Sequence, residues 1–275
     1  MIILSMIRPL NVLISIISVF ISAYILNYNN FQIDFFHTII VVSGFTAISN
    51  LINDIFDIKT DKINRPKKPL ISNKISYSKV IKAIGIILAI TLFSLTRLNI
   101  NAIQFVYFLI LPIIITYTPI FKSIPLIGNI LIGITLGSVF LFTEISLTGQ
   151  IRVLWIPGIL AIHLTILREL IKDIEDYKGD FISGIITFPV YFGIQNSINL
   201  YLFLSLLLLI WGGALPLFQK VNQFYSPTFL GFFSPWIFLT WYFILYKKIK
   251  DYKRIANLLK IATICGLCVF ITFRL

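Results

Sequence analysis

The sequence predicts an all-α integral membrane protein, a single bundle of nine transmembrane helices around a central cavity. Composition, span count and charge placement carry that prediction. Of 275 residues, 58% are hydrophobic and 12% charged, and mean hydropathy is +0.94. Soluble domains carry roughly twice that charged fraction, and one of this size could not bury so much apolar surface. So apolar a chain is not disordered, and two cysteines cannot build a secreted disulfide scaffold.

A membrane-crossing helix needs about 20 mostly apolar residues. Nine segments qualify, at 9–26, 35–53, 79–96, 102–120, 125–145, 153–171, 188–211, 229–247 and 255–273. The first has no small-residue cleavage site and is followed by further spans, so it reads as a span and not as a signal peptide. No long hydrophilic stretch interrupts the series, which makes residues 1–275 one membrane domain.

The net charge of +12 would suggest nucleic acid in a soluble protein. Here the Lys and Arg residues sort by side. The N-terminus and the loops after spans two, four, six and eight hold 19 of them, Lys247, Lys248 and Lys250 included, against four on the other side: Arg97, Arg152, Lys220 and Arg274. Positive charge stays on the cytoplasmic side of membrane proteins. The expectation is a multi-pass protein with membrane lipids and no nucleic acid as its surroundings, its N-terminus cytoplasmic and its C-terminus outside. In a prokaryote the membrane would be the cell membrane.

Cys265 and Cys268 form a CxxC inside an apolar run. Zinc or redox chemistry needs polar surroundings and, for zinc, more ligands, so both read as small packing residues. His37 and His163 lack a partner pattern and read as structural. Asp34, Glu144 and Asp251 lie near span ends and read as solvated termini.

The other eight carboxylates fall in two short stretches on the charged side. Asp54, Asp57 and Asp61 follow span two; Glu169, Asp173, Glu175, Asp176 and Asp180 follow span six. Each stretch contains D-x2-D-x3-D, and the two are offset by 119 residues, or four spans, which suggests an internal repeat. On a helix the i, i+3, i+7 spacing puts three carboxylates on one face. At a membrane boundary such a face is costly unless positive charge neutralises it. Two facing triplets suit a hard divalent cation, and Mg2+ characteristically joins a few carboxylates to substrate phosphates. Arg65, Lys68, Lys122, Arg168 and Lys172 could take the remaining phosphate oxygens.

The stretches Asn53-Asp54-x2-Asp57-x3-Asp61 and Asp173-x2-Asp176-x3-Asp180, with Asn64-Arg65-Pro66 and Pro69-Leu70 following the first, resemble the UbiA superfamily of intramembrane prenyltransferases. RELIKDIEDYKGD, GIITFPVYFG, Arg8-Pro9-Leu10-Asn11 and PLIGN at 125–129 look most like its digeranylgeranylglyceryl phosphate synthase branch. The resemblance implies a nine-helix fold and Mg2+-dependent transfer of a prenyl group from a prenyl diphosphate donor to a lipophilic acceptor. In that branch the acceptor is a prenylglyceryl phosphate and the product an ether-lipid precursor. Two departures stand out: Lys68 where relatives more often have Arg, and Ile186 where they often have a basic residue.

The roles that follow from the resemblance are these. Asp54, Asp57, Asp173 and Asp176 hold Mg2+ and form the catalytic centre. Arg65, Lys68, Lys122 and Lys172 neutralise the diphosphate. Asp61 and Asp180 orient substrate or the other carboxylates. Asn50 and Asn53, on the last turn of span two, are candidates for substrate binding, as are Asn11 and Tyr117. Asn11 can equally make an interhelical hydrogen bond, and Tyr117 can equally be an interfacial belt residue. Two other functions fit the same residues less well. One is an aromatic-acid prenyltransferase of quinone biosynthesis, whose acceptor pocket would lack a phosphate-binding cluster. The other is a cation-coupled transporter, whose carboxylates would be expected near the bilayer midplane.

Overall fold

The computed structural model describes residues 2–28, 32–246 and 251–273. Lys247, Lys248, Lys250 and Arg274, which entered the charge count, lie outside the described residues. A short helix, α1 (Ile2–Met6), precedes α2 (Pro9–Ile25) and α3 (Ile33–Phe56). Another short helix, α4 (Ile58–Asn64), follows α3. Then come α5 (Tyr77–Leu95), α6 (Ile100–Tyr117), α7 (Ile127–Thr148) and α8 (Trp155–Ser183). The last are α9 (Phe188–Phe192), α10 (Ile194–Phe218), α11 (Tyr225–Tyr246) and α12 (Tyr252–Ile271).

The nine apolar segments each carry a helical run among the described residues. Seven (α3, α5, α6, α7, α10, α11 and α12) are long and apolar enough by themselves to cross a membrane. The first run, α2, has 17 residues, the short end of what spans a bilayer. The sixth, α8, has 29 residues. Its apolar first half matches segment 153–171, and its charged second half runs on for another three turns. That extension is what the apolar pattern missed, together with α1 and α4, because a charged or very short helix carries no long apolar run.

Helix α8 is the axis of the fold. Leu164, Leu167, Leu170, Ile171 and Ile174 are buried along it, packed with residues of α10, α11 and α12. A second apolar cluster joins α2, α3, α6 and α7. Helices α7 and α8 approach closely because Gly137 faces Gly158. A Cβ on Gly137 would sit 2.5 Å from the Gly158 carbonyl oxygen and 2.4 Å from Ile162 Cγ1. In a lipid environment this small-residue contact is a main source of helix association.

Two helices carry π-turns just ahead of a proline: Val106–Ile110 before Pro112 in α6, and Phe229–Phe233 before Pro235 in α11. Proline lacks an N–H and clashes with the carbonyl four residues back; a wider turn there relieves both problems.

Glu144 corrects one expectation. It is 1% exposed, not a solvated terminus. Its carboxylate accepts the backbone N–H groups of Arg152, Val153 and Leu154 at 2.9, 2.9 and 2.8 Å. Leu154 is the N-cap of α8, whose N–H a helix start leaves unpaired, and Arg152 and Val153 lie just before it. Asp251 caps α12, accepting from the Arg254 N–H at 3.2 Å. His163 is structural: its Nε2 lies 2.9 Å from the Leu204 carbonyl, and Trp211 Nε1 donates to its Nδ1 at 3.2 Å. Cys265 and Cys268 are free thiols.

Glu144→Ala leaves three donors without their acceptor, and the buried Leu154 N–H alone costs about 1–3 kcal/mol when unpaired. We expect a clear drop in the melting temperature of the detergent-solubilised protein and partial recovery in Glu144→Gln. A wild-type melting curve for Glu144→Ala would refute the role.

Candidate active site

The first aspartate stretch does not lie on one unbroken helix. Helix α3 ends at Phe56, and Asp57 sits at the junction with φ −82° and ψ 7°. Asp54 therefore belongs to α3 and Asp61 to α4. The junction is a kink and not a loop: the Asp57 N–H still donates to the Asn53 carbonyl (2.9 Å), and the Asp61 N–H to the Asp57 carbonyl (2.7 Å). The second stretch lies wholly on α8, so Asp173, Asp176 and Asp180 share one helical face.

A bridge at the end of α4 joins the two stretches. Asn64 Nδ2 donates to the Asp176 backbone carbonyl at 3.0 Å and to its Oδ1 at 3.3 Å. The next residue, Arg65, places Nη2 at 2.8 Å from Oδ1 and 3.0 Å from Oδ2 of Asp176. Its Nη1 lies 3.6 Å from Asp61. Helix α4 can lie this close to α8 because residue 179 is glycine: a Cβ there would be 2.3 Å from Asn64 Nδ2.

Lysines and arginines from outside the two helices complete the neutralisation. Lys68 Nζ lies 2.9 Å from Asp54 and 2.6 Å from Asp61. Arg8 Nη2 lies 3.1 Å from the same Asp54 oxygen that Lys68 contacts. Arg8 holds a left-handed backbone conformation, φ 54° and ψ 74°, which costs a non-glycine residue about 1–2 kcal/mol. Lys122, on a short 3-10 turn (Phe121–Ser123), pairs with Asp57. The chain then turns through Leu126, at φ 67°, into α7. In the first turn of α7, the buried Asn129 donates to Asp173 Oδ2 at 2.7 Å.

This crowding sets the protonation tendencies. Burial pushes the Asp61 carboxyl up, against the pull of Lys68. Burial pushes Asp180 up to about 7, with Asp176 and Asp57 adding to it and Lys122 opposing. Burial works against the charges of Arg65 and Lys122 too, yet both stay firmly protonated. The carboxylates of Asp176 and Glu175 hold Arg65 up, and that of Asp57 holds Lys122 up.

The donor set fits Mg2+. Among the described residues no three carboxylates converge into a ready-made metal cluster. An all-protein cage is not what Mg2+ needs, since it usually binds one or two carboxylates together with substrate phosphates and water. Asp57 and Asp173 present hard oxygens from opposite stretches, each held by a partner from the α6–α7 connection or the start of α7. Buried carboxyls that resist losing a proton, as Asp180 does, are stabilised as anions by added positive charge.

A cavity of about 210 Å³ lies between the helices. Arg8, Asn11, Asn50, Asn53, Tyr117 and Lys172 supply polar parts of its lining, and side chains such as Val42, Phe45, Ile110 and Phe142 the apolar parts. Asn50 Nδ2 also donates to the Ile7 carbonyl at 2.9 Å, and Asn53 Oδ1 accepts from Thr118 at 3.2 Å. Asp61 and Asp180 are 2% and 3% exposed. Arg168 and Lys172 both hold Glu169, at 3.0 and 2.6 Å, and line the cavity. Ile186 is exposed and lines no part of this cavity.

Sequence reasoning did not single out Asn64, Asn129, Gly179, Glu169 or Lys260 for the site. Asn64 and Asn129 stood within quoted motifs, but a motif does not say which carboxylate an amide meets. Gly179 had a signal, a glycine inside a charged helix. Lys260 had one too, a cation inside an apolar run.

Residues 15–264 match the model of the UbiA prenyltransferase family. The chain belongs to that family. Within it, the chain is 31% identical over 274 residues to digeranylgeranylglyceryl phosphate synthase of Sulfolobus acidocaldarius, covering 97% of this chain and 95% of the relative. It is 32% identical over 236 residues to the enzyme of the same name from Saccharolobus solfataricus, covering 84% and 82%. A solved structure concerned with digeranylgeranylglyceryl phosphate synthase in membranes superposes with TM-score 0.74 at 27% identity, over 99% of this chain and 97% of that one. A UbiA homolog from Archaeoglobus fulgidus, bound to DMAPP and Mg2+, shares the fold with TM-score 0.69 at 18% identity, over 98% of each chain.

Gly179→Ala would displace Asn64 and open the bridge between α4 and α8. Prenyl transfer should fall by about tenfold or more, the loss of one charge-assisted contact, with membrane insertion unchanged. Wild-type turnover in this variant would mean that the bridge is dispensable.

Proposed function

We propose that this chain transfers a prenyl group from a prenyl diphosphate to a prenylglyceryl phosphate, with Mg2+, at the cytoplasmic face of the membrane. The observation that carries the reading is the meeting of two aspartate stretches next to a cavity lined by their neighbours Arg8, Asn53 and Lys172, in a chain similar along nearly its whole length to digeranylgeranylglyceryl phosphate synthases.

Asp54, Asp57, Asp173 and Asp176 would hold the metal, which when bound supplies Lewis-acid stabilisation of the diphosphate leaving group. Lys122, Lys68 and Arg65 are already drawn to these carboxylates. They can turn to phosphate oxygens as substrate arrives and spread the charge that builds as the allylic C–O bond breaks. Asn129 orients Asp173, and the Asn64–Arg65 bridge orients Asp176. Asn50, Asn53 and Tyr117 line the reaction chamber, where they hold the acceptor against the allylic carbon. The apolar walls take the prenyl tail and keep water from the carbocation-like carbon. Asp61 and Asp180 act from behind, orienting the other carboxylates. The charge asymmetry of the loops supports a cytoplasmic N-terminus and a catalytic face on that side.

The test is a transfer assay in nanodiscs with geranylgeranyl diphosphate, offering geranylgeranylglyceryl phosphate or an aromatic acid. We expect product with the glyceryl phosphate, loss of product on adding EDTA, and recovery with Mg2+. Product with the aromatic acid alone would overturn the acceptor. Asp54→Ala and Asp173→Ala should each abolish turnover while inserting normally; full activity in either would overturn the metal site.

A further inference from the structure

Cavity walls inside a membrane protein are expensive places for charge, and ionisable residues there usually serve a function. Four cations line this cavity: Arg8 at the start of α2, Arg168 and Lys172 one turn apart on α8, and Lys260 on α12. The only carboxylate among the lining residues is Glu169, which Arg168 and Lys172 share. Arg8 is turned to Asp54. Lys260 has no ion-pair partner among the described residues, and it lies within electrostatic reach of Arg168, Arg8 and Lys172. The Arg168 Nε–H is buried and unpartnered. Three helices have thus brought like charges together against their mutual repulsion, with one carboxylate between them. Such a wall is complete only with an anion on it.

The donor diphosphate has cations of its own. The cations of the aspartate centre, Arg65, Lys68 and Lys122, pair with Asp176, Asp54, Asp61 and Asp57, and none of the three lines the cavity. The chain therefore has two groups of cations, one on the metal-binding carboxylates and one on the cavity wall, joined through Arg8, which lines the wall and pairs with Asp54. A reaction between two phosphate-bearing lipids needs two anion sites, set apart so that a hydroxyl of one can reach the allylic carbon of the other. Beside the wall cations, a smaller cavity of about 100 Å³ shares Asn11, Ile14, Thr165 and Thr263 with the first and is otherwise lined mainly by apolar side chains. It offers apolar room next to the same wall.

We propose that Lys260, together with Arg8, Arg168 and Lys172, binds the phosphate monoester of the acceptor, and that Lys260 is the residue that makes the enzyme select a phosphorylated acceptor. The assignment rests on the acceptor proposed above. Arg168 and Lys172 are already committed to Glu169, so they set the shape of the site. Lys260 is uncommitted, and its removal leaves no carboxylate stranded. It is the member of the group whose loss reads most directly as lost phosphate recognition.

The experiment is steady-state kinetics of the full chain in nanodiscs with geranylgeranyl diphosphate as donor. Two acceptors are compared, geranylgeranylglyceryl phosphate and its dephosphorylated alcohol. Lys260→Met should raise the KM for the phosphorylated acceptor about tenfold or more, the loss of one hydrogen bond to a charged group. It should leave the donor KM unchanged and shrink the preference for the phosphorylated acceptor by a similar factor. Lys260→Arg should restore most of that preference, which a purely structural role would not require. A rise in donor KM in place of acceptor KM, or an unchanged preference in Lys260→Met, overturns the assignment while leaving the acceptor intact. A wild-type enzyme that ignores the phosphorylated acceptor overturns both. A melting curve of Lys260→Met that matches wild type separates binding from folding.

Discussion

The constraint on which this structure depends is the neutralisation of carboxylates at the edge of a low-dielectric medium. Two aspartate stretches on neighbouring helices would repel each other if left alone. They are neutralised by cations that arrive from four different places in the chain, and Arg65 bridges the two. Arg8 comes from the start of α2, Lys68 from the loop beyond α4, Lys122 from the α6–α7 connection and Arg65 from the end of α4. Each pairing ties a loop to the helix ends. The polar end of the bundle is therefore organised by charge, and the remainder by small-residue and apolar packing along α8.

This division explains how one site handles a substrate that is half anion and half hydrocarbon. The carboxylates and their lysines are cheap to rearrange, because one set of ionic contacts can replace another as a metal and a diphosphate enter. The apolar walls below do not rearrange in that way; they are close-packed and exclude water. The chemistry needs both: a leaving group stabilised by charge, and a reactive carbon kept dry. The kink at Asp57 places that boundary. Asp54 remains on the spanning helix beside the cavity, while Asp61 turns under the site with α4.

Glu144 and Glu169 show how the same residue type serves opposite ends of one helix. Glu144 supplies acceptors to the donors that precede the first turn of α8. Glu169, farther along α8, gathers Arg168 and Lys172 on the cavity wall. Both are buried, and both are affordable there because each oxygen has a donor. Lys260 stands apart as the wall cation without such a partner among the described residues.

The sequence by itself determined the membrane class, the nine helical runs and the two aspartate stretches. Each of these rests on a local pattern: about 20 apolar residues per span, charge sorted by side, and carboxylates at helical spacing. It also held the family resemblance, since both long motifs are contiguous in the chain. Tertiary structure alone decided which cation meets which carboxylate. Lys122 and Asp57 are 65 positions apart, and Arg65 and Asp176 are 111 apart, and no periodicity encodes pairings at such distance. Only packing could show that Gly179 admits Asn64, that Glu144 is a buried cap and not a solvated terminus, or that Arg168 and Lys172 line the cavity and share Glu169. Charge and hydropathy are properties of a residue and its neighbours in sequence, whereas a binding site is a property of distances between helices, and those are set by how the side chains of the whole bundle fit together.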